Sequence, residues 1–234
     1  MRETLRGWTL VADAGVTGRT NAVAPLAFDG DCPDAAIDGA VAWQATHGIR
    51  PCFKIADGYC FPAALPDALA RRGWRQHTET LVMTAPLADA IARLPAPSAH
   101  VTLSADCAPA IDTIIRETAV SEAEYAERSA IAERTPQPRR FAMLQCDGAT
   151  AAVGLTVVTG DWAAIFLMRT HPAHRRQGLA RDILAALAEW AKTAGATHAY
   201  LQVEAANAPA IALYKAIAFE TAYSYSYWRP EPKP

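Results

Sequence analysis

No apolar run in the chain approaches the roughly 20 residues that a membrane-spanning helix needs, so no membrane partner is expected. The opening Met1-Arg2-Glu3-Thr4-Leu5-Arg6-Gly7 leads into no uninterrupted apolar segment, and no signal peptide is expected. Charge of one sign is also lacking. Lys and Arg total 22, Asp and Glu 24, for a net charge of −2. No global field draws the chain to nucleic acid or anionic lipid. The five cysteines (Cys32, Cys52, Cys60, Cys107, Cys146) are odd in number and include no Cys-x-x-Cys. That argues against a zinc site or a disulfide frame, and for free thiols in a reducing, cytoplasmic setting. Neither a Gly-Lys-Ser/Thr ending nor a G-x-G-x-x-G is present, so nucleotide loops of those two kinds are excluded.

What remains is an ordinary globular composition, 51% hydrophobic and 20% charged over 234 residues. That length suits one large domain or two small ones. The strongest boundary is Leu94-Pro95-Ala96-Pro97-Ser98, where two prolines favour extended backbone. It divides an N-terminal domain, 1–95, from a C-terminal domain, 96–234. A second break, Thr135-Pro136-Gln137-Pro138, follows a helical segment over 121–134.

Beyond Pro138 the order is legible. Strands are expected at 141–146, 151–158 and 162–170, with Asp147-Gly148 and Thr159-Gly160-Asp161 as turns. A helix runs from about 178 to 193, with Leu179, Ile183, Leu187 and Trp190 at helical spacing and Gly195 at its end. A strand at 200–204, a helix opened by Asn207 and reaching about 216, and an aromatic strand at 219–228 complete a mixed α/β sheet with packed helices. The N-terminal third reads as strands at 8–12 and 19–24, a helix at 34–47, a strand at 52–56, a helix at 65–72 and a strand at 79–84. Residues 68–74 faintly echo residues 212–219, a short helix running into an aromatic-led strand, which suggests an internal repeat.

The informative segment is Thr170-His171-Pro172-Ala173-His174-Arg175-Arg176-Gln177-Gly178-Leu179-Ala180, between a strand and a helix. The first amides of a helix have no intrahelical partner, and its dipole is positive at that end. Gly178 lets a bulky anion approach, Ala180 does not block it, and Arg175, Arg176 and Arg181 add charge. On physical grounds this is either a phosphate or pyrophosphate site or an Arg-rich loop feeding a packed helix.

Arg175-x-x-Gly178-x-Ala180, preceded by Pro172, resembles the pyrophosphate loop of the GCN5-related N-acetyltransferase (GNAT) superfamily. A second block agrees: Leu201-Gln202-Val203-Glu204-Ala205-Ala206-Asn207, then Ala210, Leu213-Tyr214 and Phe219. The resemblance covers roughly residues 99–230. It departs at Ala218, where the family has glycine.

The resemblance implies a GNAT fold and direct acetyl transfer from acetyl-CoA to a bound primary amine of a small molecule or peptide, in a monomer or homodimer. No metal and no acyl-enzyme are implied. Coenzyme contacts map onto Met168, Arg169 and Thr170, then Arg175, Arg176, Gln177, Gly178, Leu179, Ala180 and Arg181, with Asn207 and Tyr214. Backbone amides of Met168 and Thr170 would polarise the thioester and hold the pantetheine arm. Tyr214, two turns after Asn207, is the candidate general acid; its alternative is simple packing. Asn207 is a helix cap in either case. Some relatives place a glutamate base where this chain has Ala164. Glu204 is then the candidate base, with Tyr200 and Gln202 on its side of the strand; His171, Asp161 or a water relay are the alternatives.

The N-terminal half resembles the degenerate first repeat of tandem GNAT proteins. Between its strand and helix, Ala24–Pro33 carries Asp29 and Asp31 instead of arginines, and Leu69 stands where Tyr214 stands. It is expected to wall the substrate cleft or only to support folding. Trp8, Trp43 and Trp74 there are expected in the core more than in a pocket. Two other functional readings stay open: an acetyl-CoA-sensing module without catalysis, and a transferase with a different acyl donor or acceptor.

Overall fold

The computed structural model describes residues 1–107, 112, 115, 116, 119 and 121–231. The last three residues expected in the C-terminal domain therefore lie outside the described residues. The chain forms two compact units. The first comprises Met1–Leu81, Glu204–Ala206 and Tyr223–Pro234, and the second Val82–Val203 and Asn207–Ala222.

In the first unit, β1 (Arg2–Leu5) pairs antiparallel with β2 (Trp8–Val11), and β2 with the short β3 (Val23–Ala24). β3 pairs in parallel with β4 (Phe53–Ala56). Residues Tyr225–Trp228 of β11 (Glu220–Pro230) run antiparallel to β4. Helices α1 (Pro33–Thr46) and α2 (Leu65–Arg71) cover one face. Between them and the strands Trp8, Ile37, Phe53, Leu65 and Leu69 are wholly buried, and Trp74 nearly so. Trp43 is only partly buried and packs against this core. Gln44 replaces a strand neighbour: its amide both donates to Cys52 O and accepts from Cys52 N–H.

Three elements here were not anticipated in their observed form. β1 shows no alternation because its residues are nearly all exposed. The strand expected at 19–24 shrinks to two residues because Asn21 organises a loop instead. Its Oδ1 accepts from Asp13 and Gly15 amides, and its Nδ2 donates to Thr17 O. β5 (Trp74–Pro86) is longer than the expected 79–84.

The second unit holds the strand order β6 (Val101–Ser104), β7 (Arg139–Cys146), β8 (Ala149–Thr159), β9 (Trp162–Thr170) and β10 (His198–Glu204) in reverse sequence from β10 outward. Pairing is antiparallel except between β9 and β10. Helix α3 (Leu87–Ala92) is short, and no spacing in the sequence announced it. On one face, α5 (Leu179–Thr193) packs Ile183 and Leu187 onto Ala142, Leu144, Ala151 and Ala152. On the other, α4 (Glu122–Arg134) sends Ala132 and Tyr125 against Phe141, Val153, Leu155 and Ala164. Ser121 caps α4 by accepting from Glu124 N–H (3.1 Å). At its far end the buried Arg139 guanidinium donates to Ala132, Glu133 and Thr135 carbonyls and to Ala105 O. A cation is favoured at that end of a helix, whose last carbonyls are unpaired. The last helix of the unit is α6 (Ala208–Ala216).

Candidate functional site

β9 and β10 pair in parallel from Trp162–His198 to Ile165–Leu201, and among the described residues their register goes no further. β9 nevertheless continues to Thr170. Its other edge stays closed: His171 N–H donates to Ala151 O (2.8 Å), in line with the β8 register. Alternation along the strand then turns the Thr170 and Met168 amides toward the open edge. Edge amides of this kind can accept an extended ligand as an added strand would be accepted.

An irregularity marks the fork. Val153 faces Arg169 while Leu155 faces Phe166, so Gly154 alone opposes Leu167 and Met168. This is a β-bulge. Leu167 holds φ at +54, a left-handed conformation that costs a leucine about 1–2 kcal/mol. Gly154 is needed for space: a Cβ there would lie 2.7 Å from both Ile183 Cγ2 and Met168 Sδ. The bulge escaped the sequence reading, although a glycine inside an apolar strand is the usual signal.

Past Thr170 the chain makes one 3₁₀ turn, Pro172–His174, capped by His171 Nδ1, which accepts from Ala173 N–H. Arg176 (φ +62) and Gly178 (φ +85) both take left-handed backbone. A Cβ on Gly178 would meet nothing within 4 Å, so its backbone angle, not crowding, favours glycine. Gly178 is the N-cap of α5 and offers no capping side chain. As the first amides of the helix, those of Leu179 and Ala180 have no intrahelical acceptor. Arg175, Arg176 and Gln177 are exposed, and Leu179, Ala180 and Arg181 partly so. Two guanidinium groups are tethered nearby: Arg181 Nη2 donates to Arg93 O at the end of α3, and Arg175 Nε makes a long 3.5 Å bond to Thr170 O. The whole is a cationic helix start suited to an anion.

Tyr214 lies in α6, 7% exposed, its ring 6.1 Å from that of Phe219. Burial pushes its phenol upward from the ordinary value, and the charge of Arg169 partly offsets this. Arg169, whose Nη1 donates to Met168 O (2.9 Å), therefore lies within electrostatic reach of the tyrosine. Asn207 caps α6, its Oδ1 accepting from Ala210 N–H (3.3 Å). Ala218, in the glycine position of the resemblance, takes φ +69. Glu204 is exposed at the end of β10 and belongs to the first unit, where the next amide, Ala205 N–H, donates to Glu79 O (2.9 Å). Ala164 is buried and its carbonyl accepts from Thr156 Oγ1. Asp161 is exposed, 3.7 Å from His198 Nδ1. Among the described residues no group of three or more His, Cys, Asp or Glu could hold a metal ion. No described helix is long and apolar enough to cross a membrane.

The fold recurs in solved structures. A GCN5-related N-acetyltransferase from Kribbella flavida superposes with a TM-score of 0.72 at 16% identity, covering 100% of this chain and 90% of its own. A tandem GNAT protein from the clavulanic acid biosynthesis pathway gives 0.61 at 18%, covering 83% of this chain and 68% of its own. These establish a GNAT fold. In sequence, the uncharacterised N-acetyltransferase YobR of Bacillus subtilis is 28% identical over 225 residues, 94% of this chain and 88% of its own length. The ribosomal protein bS18-alanine N-acetyltransferase of Escherichia coli is 38% identical over 76 residues, which is 32% of this chain and 51% of that enzyme. Residues 1–228 match the family described as "Probable histone acetyltransferase Rv0428c C-terminal". The chain belongs to that family, and so to the GNAT superfamily of acyltransferases.

Proposed function

We propose that this chain is an N-acetyltransferase that moves the acetyl group of acetyl-CoA directly to a primary amine of a small molecule or peptide. The observation that carries the reading is the conjunction at one end of β9: an open strand edge and, a few residues on, an uncapped cationic helix start. A pyrophosphate matches the second feature in charge. The amide-bearing arm of a pantetheine matches the first, since it needs extended hydrogen bonds.

Bound there, acetyl-CoA supplies an activated thioester. In this reading Gly178, Leu179 and Ala180 give backbone amides to the pyrophosphate, and Arg175, Arg176 and Gln177 add side-chain contacts, with Arg181 more remote. The Met168 and Thr170 amides bond the arm and the carbonyl oxygen on which negative charge develops. Asn207 keeps α6 in place and Tyr214 faces the sulfur. A thiol of ordinary pKa near 8.5 is a stronger acid than a phenol near 10. Burial widens that gap for Tyr214, so full proton transfer is uphill and the hydroxyl acts first as a donor to the leaving sulfur. The charge of Arg169 narrows the gap. An amine with an unperturbed pKa near 10.4 must lose a proton before attack; Glu204 is the proposed base.

Calorimetry with acetyl-CoA, followed by thiol release across a broad amine panel, tests the reading. Micromolar binding with amine-dependent thiol release supports it. Binding without release from any amine would leave a sensing module instead.

A further inference from the structure

Among the described residues eight large apolar side chains are exposed, and four of them gather in the first unit. Leu26 lies in the loop between β3 and α1, Tyr59 and Phe61 in the loop between β4 and α2, and Tyr223 in β11. Each is between 40% and 60% exposed. The Tyr59 and Tyr223 rings meet edge-on at 6.3 Å. Phe61 N–H donates to Pro25 O (2.8 Å), which sets Leu26 beside it. Both ends of the second loop are tied to strands of the unit: Trp8 Nε1 donates to Phe61 O (2.7 Å), and Asp57 N–H to Ser224 O (2.9 Å). Single exposed apolar residues are ordinary, but a group of them marks an interaction surface. Tyrosine carries much of the binding at such surfaces, and a loop already held in place loses little freedom on binding.

The charge around the patch has one sign. Residues 25–32 and 57–64 contain Asp29, Asp31 and Asp57 and neither lysine nor arginine. All three carboxylates are exposed, and Asp57 accepts from the Ser224 hydroxyl. Among the described residues Arg6 is the one cation hydrogen-bonded to either loop, and it uses its carbonyl, which accepts from Asp29 N–H (3.2 Å). Three kinds of occupant differ in how they meet that rim. A second copy on a two-fold axis sets the patch against itself, so that like charges face each other. An anionic membrane surface attracts basic segments and repels carboxylates. A basic polypeptide with apolar side chains suits both features: its apolar groups cover the rings, and its cations face the aspartates.

We propose that this patch docks a basic, apolar segment of another polypeptide. The docking is independent of the proposed acetyl transfer and needs no coenzyme.

Fluorescence anisotropy on the full chain tests it, with a labelled heptapeptide that alternates lysine with phenylalanine and leucine. Two control peptides carry glutamate in place of lysine, or serine in place of phenylalanine and leucine. The first peptide should bind about 10-fold or more tightly than either control. Tyr59→Ser with Tyr223→Ser should lower its affinity by about 10-fold or more. Asp29→Asn with Asp31→Asn should lower it by about 3–10-fold and flatten its dependence on salt. Both variants change exposed side chains and should unfold near the urea midpoint of the unmodified chain. Equal binding of the glutamate peptide, no binding of the lysine one, or affinity unchanged in the tyrosine variant overturns the proposal. So does a dimer in sedimentation that Tyr59→Ser with Tyr223→Ser disperses, in favour of a second copy. Pelleting with phosphatidylcholine–phosphatidylserine vesicles that depends on the same tyrosines overturns it in favour of a membrane.

Discussion

The helix that starts at Leu179 and the one that starts at Pro33 are each entered from a strand of its own unit. Neither has a side-chain cap. Around the first, Arg175, Arg176 and Arg181 cluster, and the Gly178 N-cap has φ +85. Around the second stand Asp29, Asp31 and Asp34. Its N-cap, Cys32, has φ −134, and Pro33 follows at the first helical position. Proline removes one of the few free amides, and three carboxylates oppose the dipole's attraction for an anion. The next helices differ in the same sense. α6 opens on the Asn207 cap and carries Tyr214, whereas α2 opens on Ala64 without one and carries the wholly buried Leu69. The contrast teaches that a helix start suits an anion or repels it through the charge and backbone of the residues just before it and of its first turn.

The largest expected effect separates Tyr214 from Leu69. Tyr214→Phe keeps the ring and removes the donor, so single-turnover acetyl transfer should fall by about 10²–10³-fold with little change in acetyl-CoA affinity. Wild-type single-turnover rates in that variant would make Tyr214 a packing residue like Leu69.

Next comes the contrast of the loops. Arg175→Ala with Gly178→Glu removes a phosphate partner and sets a carboxylate at the start of α5. Two such losses, each about 1.5–3 kcal/mol, predict a fall in acetyl-CoA affinity of 100-fold or more in a folded variant. Calorimetry reads it. Asp29→Asn with Asp31→Asn should change that affinity less than about twofold, and a larger change would break the comparison.

Smaller effects concern backbone and pH. Ala218 takes φ +69, where glycine is at ease. Ala218→Gly should raise stability by about 0.5–1 kcal/mol, since relief of the left-handed cost outweighs the added freedom of the unfolded chain. Urea denaturation shows this as a higher midpoint at constant slope. In the first unit, burial pushes the Cys60 thiol up to about 11 from an ordinary value of 9.0. The folded state thus favours the neutral thiol. Its contribution is complete below pH 9 and lost as pH rises through 11. The alkaline fall in urea midpoint should be shallower in Cys60→Ala; an identical slope would assign the fall to other groups, Cys52 and Tyr227 among them.

Much of this was readable before any coordinates. The run from Thr170 to Ala180 is legible because charge, glycine and helix start coincide within eleven consecutive residues. Asn207 is legible because a cap is a local device. The fork of β9 and β10 is not, since it depends on which strands meet and where they part. Nor is the tether of Arg181 to Arg93, which joins residues 88 apart in sequence. β1 hid because its exposed residues give no alternation, and residues 19–22 read as strand because nothing in sequence shows that Asn21 will bind the amides of Asp13 and Gly15.

The central claim is that one of the two helix starts holds coenzyme and the other does not. Titration of acetyl-CoA into the full chain measures it directly. The account predicts one molecule bound per chain, with affinity weaker by about 100-fold or more in the Arg175→Ala, Gly178→Glu variant. Two molecules per chain, or unchanged affinity in that variant, would contradict it.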